Sequence, residues 1–313
     1  MKRVLSAESS VLEALRSAVP GAPARTLRQM LEHGRVRLNG QVCRIASRRT
    51  CPGDVLEIGR RAFPPPRGGL EVVYEDQDVL VVVKPAGLLT VSTPHEKQRT
   101  AHAYLREYLK HRSPGSKVFV VHRLDKFVSG LLVFAKSERI QWQLRRLFEA
   151  HAIDRKYLAI VEGDVERNAG TIQSHLKEDH RLRMRSTPSS LDGKRAVTHY
   201  RVLRRSAGLT CLEVSLETGR KNQIRVHFSE LGHPIAGDRA YGSRSDPLGR
   251  VGLHAFRLGF EHPGLHRKML FEAEPPPEFQ PFLPAKRNRG QGNPVFPETA
   301  PDVANRIEPN RPA

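Results

Sequence analysis

Two periodicities alternate along the chain and divide it into a small mixed unit and a larger one dominated by strands. Val11, Leu12, Leu15 and Val19 recur at helical spacing behind Ser9 and Ser10, either of which can cap the helix, and Leu27, Met30 and Leu31 mark a second helix after Pro23. RVRLNGQVCRI follows, two alternating runs about Asn39-Gly40, a dipeptide suited to the two-residue turn of a hairpin. Another turn, Pro52-Gly53-Asp54, leads into VLEIG. Residues 1–60 therefore read as helix, helix, hairpin and strand.

FPPPRGG, Phe63 to Gly69, can continue neither a helix nor a central strand, so residues 61–69 read as a semi-rigid linker. Beyond it strand-like runs prevail: VVYEDQDVLVVV, KVFVVH, SGLLVFA, KYLAIVEG, THYRVL, TCLEVSLE, and further runs around Leu253 to Phe260 and Lys268 to Ala273. Helical spacing appears over Ser137 to His151, with Ile140, Leu144, Leu147 and Phe148 on one face. It appears again over Asn222 to Leu231, where Gly232 stops it. Strands that are not separated by a regular helix each time predict an α+β fold over residues 70–284, a mixed, mainly antiparallel sheet with flanking helices. Trp142 is expected to pack. Residues 285–313, rich in Pro, Asn, Arg and Gly, read as a disordered basic tail.

Composition narrows the partners. In 313 residues, 52 Lys and Arg stand against 33 acids, a formal charge of +19 and a pI near 10.5. Such a surplus neutralises phosphates or anionic surfaces. A basic proteome would give the same pI without a polyanion partner, but the cations here cluster, as in Arg35 to Arg49 and Arg181 to Arg185. Apolar runs such as Val79 to Val83 and Leu131 to Ala135 are too short to span a bilayer, which leaves nucleic acid ahead of membrane. MKRVLSAESS carries no apolar stretch of a secretory signal. Cys43, Cys51 and Cys211 have neither an even count nor CxxC spacing, which argues against a disulfide framework and a zinc site and points to a reducing cytosol.

The segment VVHRLDKFVSGLLVFAKS sets an acid, Asp125, between a basic pair and a Ser-Gly turn where an apolar strand breaks. An aspartate there reacts, binds a cation or caps the next turn. No HExxH, Asp-x-Asp loop or Cys pair supports a metal, and no phosphate-covering glycine loop or Asp-Phe-Gly segment supports a kinase.

HRLDKFVSGLLVFAK resembles the active-site motif of the RluA-type pseudouridine synthases, with the catalytic aspartate falling on Asp125. Other segments resemble that family in the same order: VVYEDQDVLVVVKPAGL, RKYLAIVEG, TGRKNQIRVHFSELGHPIAGDRAYG and LHAFRLGF. ARTLRQMLEHGRVRLNGQ and CPGDVLEI resemble the alpha-L RNA-binding domain first described in a small-subunit ribosomal protein, a common appendage of the family. Val128 stands where the family usually has threonine, and Lys221-Asn222 depart from its usual pair.

The resemblance implies a cofactor-free, metal-free isomerase acting as a monomer on RNA. Large-subunit ribosomal RNA is the expected target and transfer RNA the second choice. It places the uracil-facing tyrosine at Tyr157 and the cation beside Asp125 at Arg225, for which a phosphate-binding arginine is the alternative. His122, Arg123, Arg220 and His227 become positioning or backbone-contacting groups. Arg25, Arg28, Arg35 and Arg37 are expected to meet RNA phosphates from the second helix and the hairpin. Lys84-Pro85 and Gly87 form a turn shaping the pocket wall. A non-catalytic RNA-binding or ribosome-assembly factor and a base-excising glycosylase are the rival functions.

Overall fold

The computed structural model describes residues 1–32, 35–59, 65–112, 115–188, 190–284 and 306–307. The chain divides into two compact units, Met1–Pro65 and the remainder from Pro66. Most of the expected basic tail and part of the expected linker lie outside the described residues.

The first unit orders β1 (Lys2–Val4), β2 (Ser9–Ser10), α1 (Val11–Ala18), α2 (Ala24–Glu32), β3 (Val36–Leu38), β4 (Gln41–Val42), β5 (Arg49–Thr50) and β6 (Val55–Ile58). Ser10 caps α1, its Oγ accepting from the Glu13 amide while the Glu13 carboxylate accepts from the Ser10 amide. Asn39 and Gly40 both take positive φ, 52° and 78°, as the tight β3–β4 hairpin requires. Val11, Leu15, Leu27, Leu31, Val36 and Leu56 close the core. Burying that stripe of α2 leaves Arg25 and Arg28 exposed on its other side, and Arg37 is exposed on the hairpin. Arg35 is half-buried, its Nε donating to the Gly59 carbonyl at 3.2 Å.

The second unit runs β7 (Glu71–Glu75), β8 (Val79–Lys84), α3 (Ala101–Arg112), β9 (Phe119–Val120), β10 (Ser129–Ala135), α4 (Glu138–Glu149), β11 (Asp154–Glu162), β12 (Ala169–Glu178), β13 (Met184–Thr187), β14 (Lys194–Ser206), β15 (Leu209–Leu216), α5 (Gln223–Glu230), β16 (Leu253–Glu261) and β17 (Lys268–Glu272). Its sheet follows the order β13-β12-β14-β15-β11-β16-β10-β8-β7, with β17 beside β16 and β9 beside β10. These strands pair antiparallel except at the centre, where β10 and β16 run parallel from Ser129 against His254. The short pair Arg306–Ile307 also runs parallel, beside Thr171–Ile172.

Helices cover both faces, so the central strands are apolar without alternation. In β10, Leu132 and Phe134 face the layer holding Leu105 and Leu109 of α3 and Ile224 and Phe228 of α5. Leu131, Val133 and Ala135 face Ile140 and Leu144 of α4. Gly130 is obligatory: at φ +119° a Cβ there would stand 2.2 Å from the Ala255 carbonyl oxygen.

Some elements differ from the sequence reading. The KVFVVH run yields only the two-residue β9, because the chain leaves the sheet at Val121 and stays in a loop until β10. Trp142 does not pack in a core; it is 60% exposed with the Arg146 guanidinium 4.9 Å from its ring centre. Helix α3 and strands β12 and β13 were not anticipated.

Candidate active site

Asp125 sits in the loop between β9 and β10, which folds back on itself through the Val128 amide bonding the Asp125 carbonyl at 3.2 Å. Two buried side chains fix that loop from beneath. Thr90 Oγ1 donates to the Leu124 carbonyl at 2.7 Å and accepts from the Leu124 amide at 3.2 Å. Lys84, fully buried, donates to the carbonyls of Pro85 and Leu88 at 2.8 Å and of Lys126 at 3.3 Å. Burial pulls its pKa down to about 7, Arg250 adding to the effect and Asp125 opposing it. The expected wall-shaping turn is thus tied to the residue after Asp125.

Arg225 projects from the first turn of α5. Its Nη1 donates to Asp125 Oδ2 at 3.2 Å and to Asn222 Oδ1 at 3.0 Å, while Nε and Nη2 hold the two oxygens of Asp238 at 2.6 and 2.8 Å. Burial disfavours its charge, yet the Asp238 and Asp125 carboxylates raise its pKa above the ordinary arginine value. Four of the five guanidinium N–H donors are engaged and the side chain is 11% exposed, an arrangement that favours holding Asp125 over the phosphate-binding alternative.

Helix α5 starts where Asn222 takes a left-handed φ of 53°. Gln223 then locks the entry: its Oε1 accepts from Thr218 Oγ1 and the Arg220 amide, and its Nε2 donates to the Val197 carbonyl and Thr198 Oγ1, all between 2.8 and 3.0 Å. Asn222 Nδ2 also donates to the Tyr241 hydroxyl at 2.9 Å, and Arg225 lies 4.7 Å from the Tyr241 ring centre. The departure at Asn222 therefore lies one contact from the acid, nearer than its sequence position suggests. Val128 is simply buried.

Tyr157 comes from β11 just after a register shift between Lys156 and Tyr157, which re-aims the strand at the cleft. It is 7% exposed and lines one cleft with Asp125, Arg225, Arg220, Asn222 and Leu253. Burial pushes its phenol above the usual value; Arg155 opposes this and Asp125 adds to it.

Arg123 and Arg220 are exposed and line the same cleft, Arg220 braced by its Nε on the Arg195 carbonyl at 3.0 Å. His122 is placed differently from an RNA contact: its Nε2 accepts from the Val133 amide at 3.2 Å, and its ring stacks on Phe148 at 4.5 Å. Burial and Arg155 lower its pKa to about 3, so it is neutral and offers phosphate no charge. His227 is fully buried between Thr198 and Ser174, with ring bonds of 2.9 and 3.0 Å.

A carboxylate held by a fixed cation, with an aromatic ring in the same narrow cleft and arginines at its mouth, suits nucleophilic or proton-abstracting chemistry on a base-bearing sugar of a polyanion. Residues 78–230 match the family model described as RNA pseudouridylate synthase, and residues 15–56 match the S4 domain. An RNA pseudouridine synthase of Bacillus subtilis, YlyB, is 36% identical over 277 residues, covering 84% of this chain and 89% of its own length. The chain belongs to the RluA-type RNA pseudouridine synthase family.

Ribosomal large subunit pseudouridine synthase D of Nitrosomonas europaea is 38% identical over 234 residues, 70% of this chain and 66% of that protein. Among solved structures, human RNA pseudouridylate synthase domain containing 1 superposes with a TM-score of 0.55 at 28% identity, over 71% of this chain and 89% of that one. The synthase isomerises uridine in RNA, and its N-terminal unit is an S4 RNA-binding domain. Neither a non-catalytic factor nor a glycosylase gains support.

Proposed function

We propose that this synthase modifies large-subunit ribosomal RNA in the cytosol as a monomer, with Asp125 acting on the ribose, Arg225 positioning it and Tyr157 beneath the uracil. The observation that carries the reading is the 3.2 Å contact from Arg225 Nη1 to Asp125 Oδ2 in the cleft shared with Tyr157. The three groups converge in one cleft of a single chain, so the site calls for no second copy. The Nitrosomonas relative, a large-subunit enzyme by name, supports the ribosomal target.

Isomerisation breaks the bond between the ribose anomeric carbon and uracil N1, turns the base and joins the same carbon to C5, which then loses its proton. Asp125 can attack the anomeric carbon and expel uracil, or remove the ribose 2′ proton to leave a glycal. Both routes use the free Asp125 oxygen while Arg225 holds the other. The Tyr157 ring gives the turning uracil a flat surface. Burial keeps its hydroxyl protonated, so in the last step its oxygen takes the C5 proton as its own proton passes to water.

Pseudouridine mapping of total RNA from cells with and without the gene tests the target. Loss at uridines of large-subunit ribosomal RNA is expected. Loss confined to transfer RNA would overturn the ribosomal assignment, and an unchanged map would overturn both.

A further inference from the structure

Helix α4 buries Ile140 and Leu144 against the sheet and turns its other side to solvent, where Arg139, Trp142, Arg145 and Arg146 stand exposed between Glu138 and Glu149 at its two ends. The three arginines lie three or four residues from Trp142 and therefore share its face. An indole 60% open to solvent would by itself be an ordinary surface residue. The charge around it is not ordinary. Arg139 Nη1 donates to the Gln143 side chain at 3.3 Å, Arg145 Nη2 donates to the Val120 carbonyl at 3.0 Å, and the Arg146 guanidinium lies over the Trp142 ring at 4.9 Å. Among the described residues no carboxylate pairs with any of the three, whereas Arg185 and Arg195, also exposed, are held by Asp179 and Glu217 at 2.9 and 2.7 Å.

This face runs on to the mouth of the cleft. Arg145 and Gln141 both donate to the Val120 carbonyl, where the chain leaves the sheet for the Asp125 loop. At the C-terminal end of α4, Phe148 stacks on His122 at 4.5 Å, and the next residue, Arg123, lines the cleft. Six residues separate Trp142 from Phe148, about 9 Å along the helix axis.

We propose that this face of α4 is a second RNA contact, on which an unpaired base flanking the target uridine stacks against Trp142 while Arg139 and Arg145 hold its phosphates. A flat ring beside cations whose charge is not neutralised is the composition of a single-strand binding surface, and Arg146 keeps the indole in place before RNA arrives. RNA fits the face better than a protein does, because its cations are of one sign and continue a cleft mouth already lined by Arg123 and Arg220. The contact adds affinity and leaves the chemistry to the cleft. The proposal rests on the synthase activity and not on which RNA is modified. Any uridine mapped to this enzyme supplies the transcript, so failure of the ribosomal target and failure of this contact read differently.

Trp142 is the one tryptophan of the chain, so its emission reports this face alone. The full chain is titrated with a transcript carrying the mapped uridine and its flanking nucleotides, and filter binding of the same transcript reads affinity. Bound RNA is expected to quench the emission and to cut acrylamide quenching about twofold or more. Trp142→Ala should weaken affinity about tenfold and Trp142→Phe recover it to within about threefold, with turnover at saturating RNA within about twofold of wild type in both. Replacing Arg139 and Arg145 together by Gln should lower the log-log salt slope of binding by about one unit. Emission and acrylamide quenching unmoved by RNA that filter binding shows to be bound would overturn the proposal and point to a protein partner instead. So would wild-type affinity in Trp142→Ala, an unchanged salt slope, or turnover at saturation lost in step with affinity.

Discussion

Arg225 and Asp238 meet fork to fork, Nε on Oδ2 at 2.6 Å and Nη2 on Oδ1 at 2.8 Å, which leaves only Nη1 to reach Asp125. One buried carboxylate thus aims the arginine, and the arginine aims the other. Gly237 makes this possible at φ +78°, where a Cβ would stand 2.2 Å from the Arg250 carbonyl oxygen.

Asp238→Ala should therefore damage stability and turnover together. The Asp238 side chain is 1% exposed, and deleting one partner of a buried ion pair costs ~3–5 kcal/mol. A lowered Tm with turnover lost well below the new Tm is expected. Wild-type turnover in the folded variant would show that Asp238 does not aim Arg225.

Arg225→Lys tests geometry apart from charge. A lysine cannot hold Asp238 with two nitrogens and reach Asp125 with a third. Single-turnover rate should fall about a hundredfold or more while RNA affinity stays within about threefold. If affinity falls in step with rate, Arg225 is an RNA contact.

Three histidines should shape the acid limb of stability. Burial pushes the pKa values of His227 and His254 down to about 4, and that of His122 to about 3, from 6.5. Between those values the unfolded chain binds more protons than the folded one, so stability rises with pH. Their contribution is complete above about 6.5 and is lost as pH falls toward 4, or toward 3 for His122, each histidine adding up to about 1.4 kcal/mol per pH unit. Urea unfolding from pH 4.5 to 7 should show a shallower slope in His227→Gln than in wild type. Parallel profiles would place His227 outside this linkage.

Asp125 and Arg225 lie 100 residues apart in sequence, and no local periodicity relates them. Motif resemblance singled out both, because each sits in a distinctive string. Asp238 stood inside one of those strings without a role, since a buried aspartate looks like any turn aspartate until its partner is placed. Gln223 escaped for the same reason, its value lying in Val197 and Thr198 of a distant strand, while Lys84, read only as part of a wall-shaping turn, also reaches the Lys126 carbonyl of the Asp125 loop. The continuous apolar run of β8 and the Asn39-Gly40 turn were legible because strand and turn chemistry are local. Helix α3 was also legible in principle, with Ala101, Leu105, Tyr108 and Leu109 at helical spacing behind Thr100, whose Oγ1 accepts from the Ala103 amide at 3.1 Å. Strand β12 was not, because its alternation is largely polar and its partners on both sides define it.

Deleting Met1–Pro65 should weaken RNA binding and flatten its salt dependence, each lost phosphate contact removing roughly one unit or less from the log-log salt slope. Asp125, Tyr157 and Arg225 all lie in the second unit, so turnover at saturating RNA should largely persist. A collapse of that rate with intact circular dichroism would mean that the S4 unit helps assemble the site.

The most direct measurement is single-turnover pseudouridine formation by Asp125→Asn on RNA from cells lacking the gene, with binding to the same RNA read in parallel. The substitution keeps size and polarity but removes the carboxylate that attacks the ribose or takes its proton. Formation should fall at least about a thousandfold with affinity within a few-fold of wild type. Turnover near the wild-type rate would contradict the assignment of Asp125 as the reacting group.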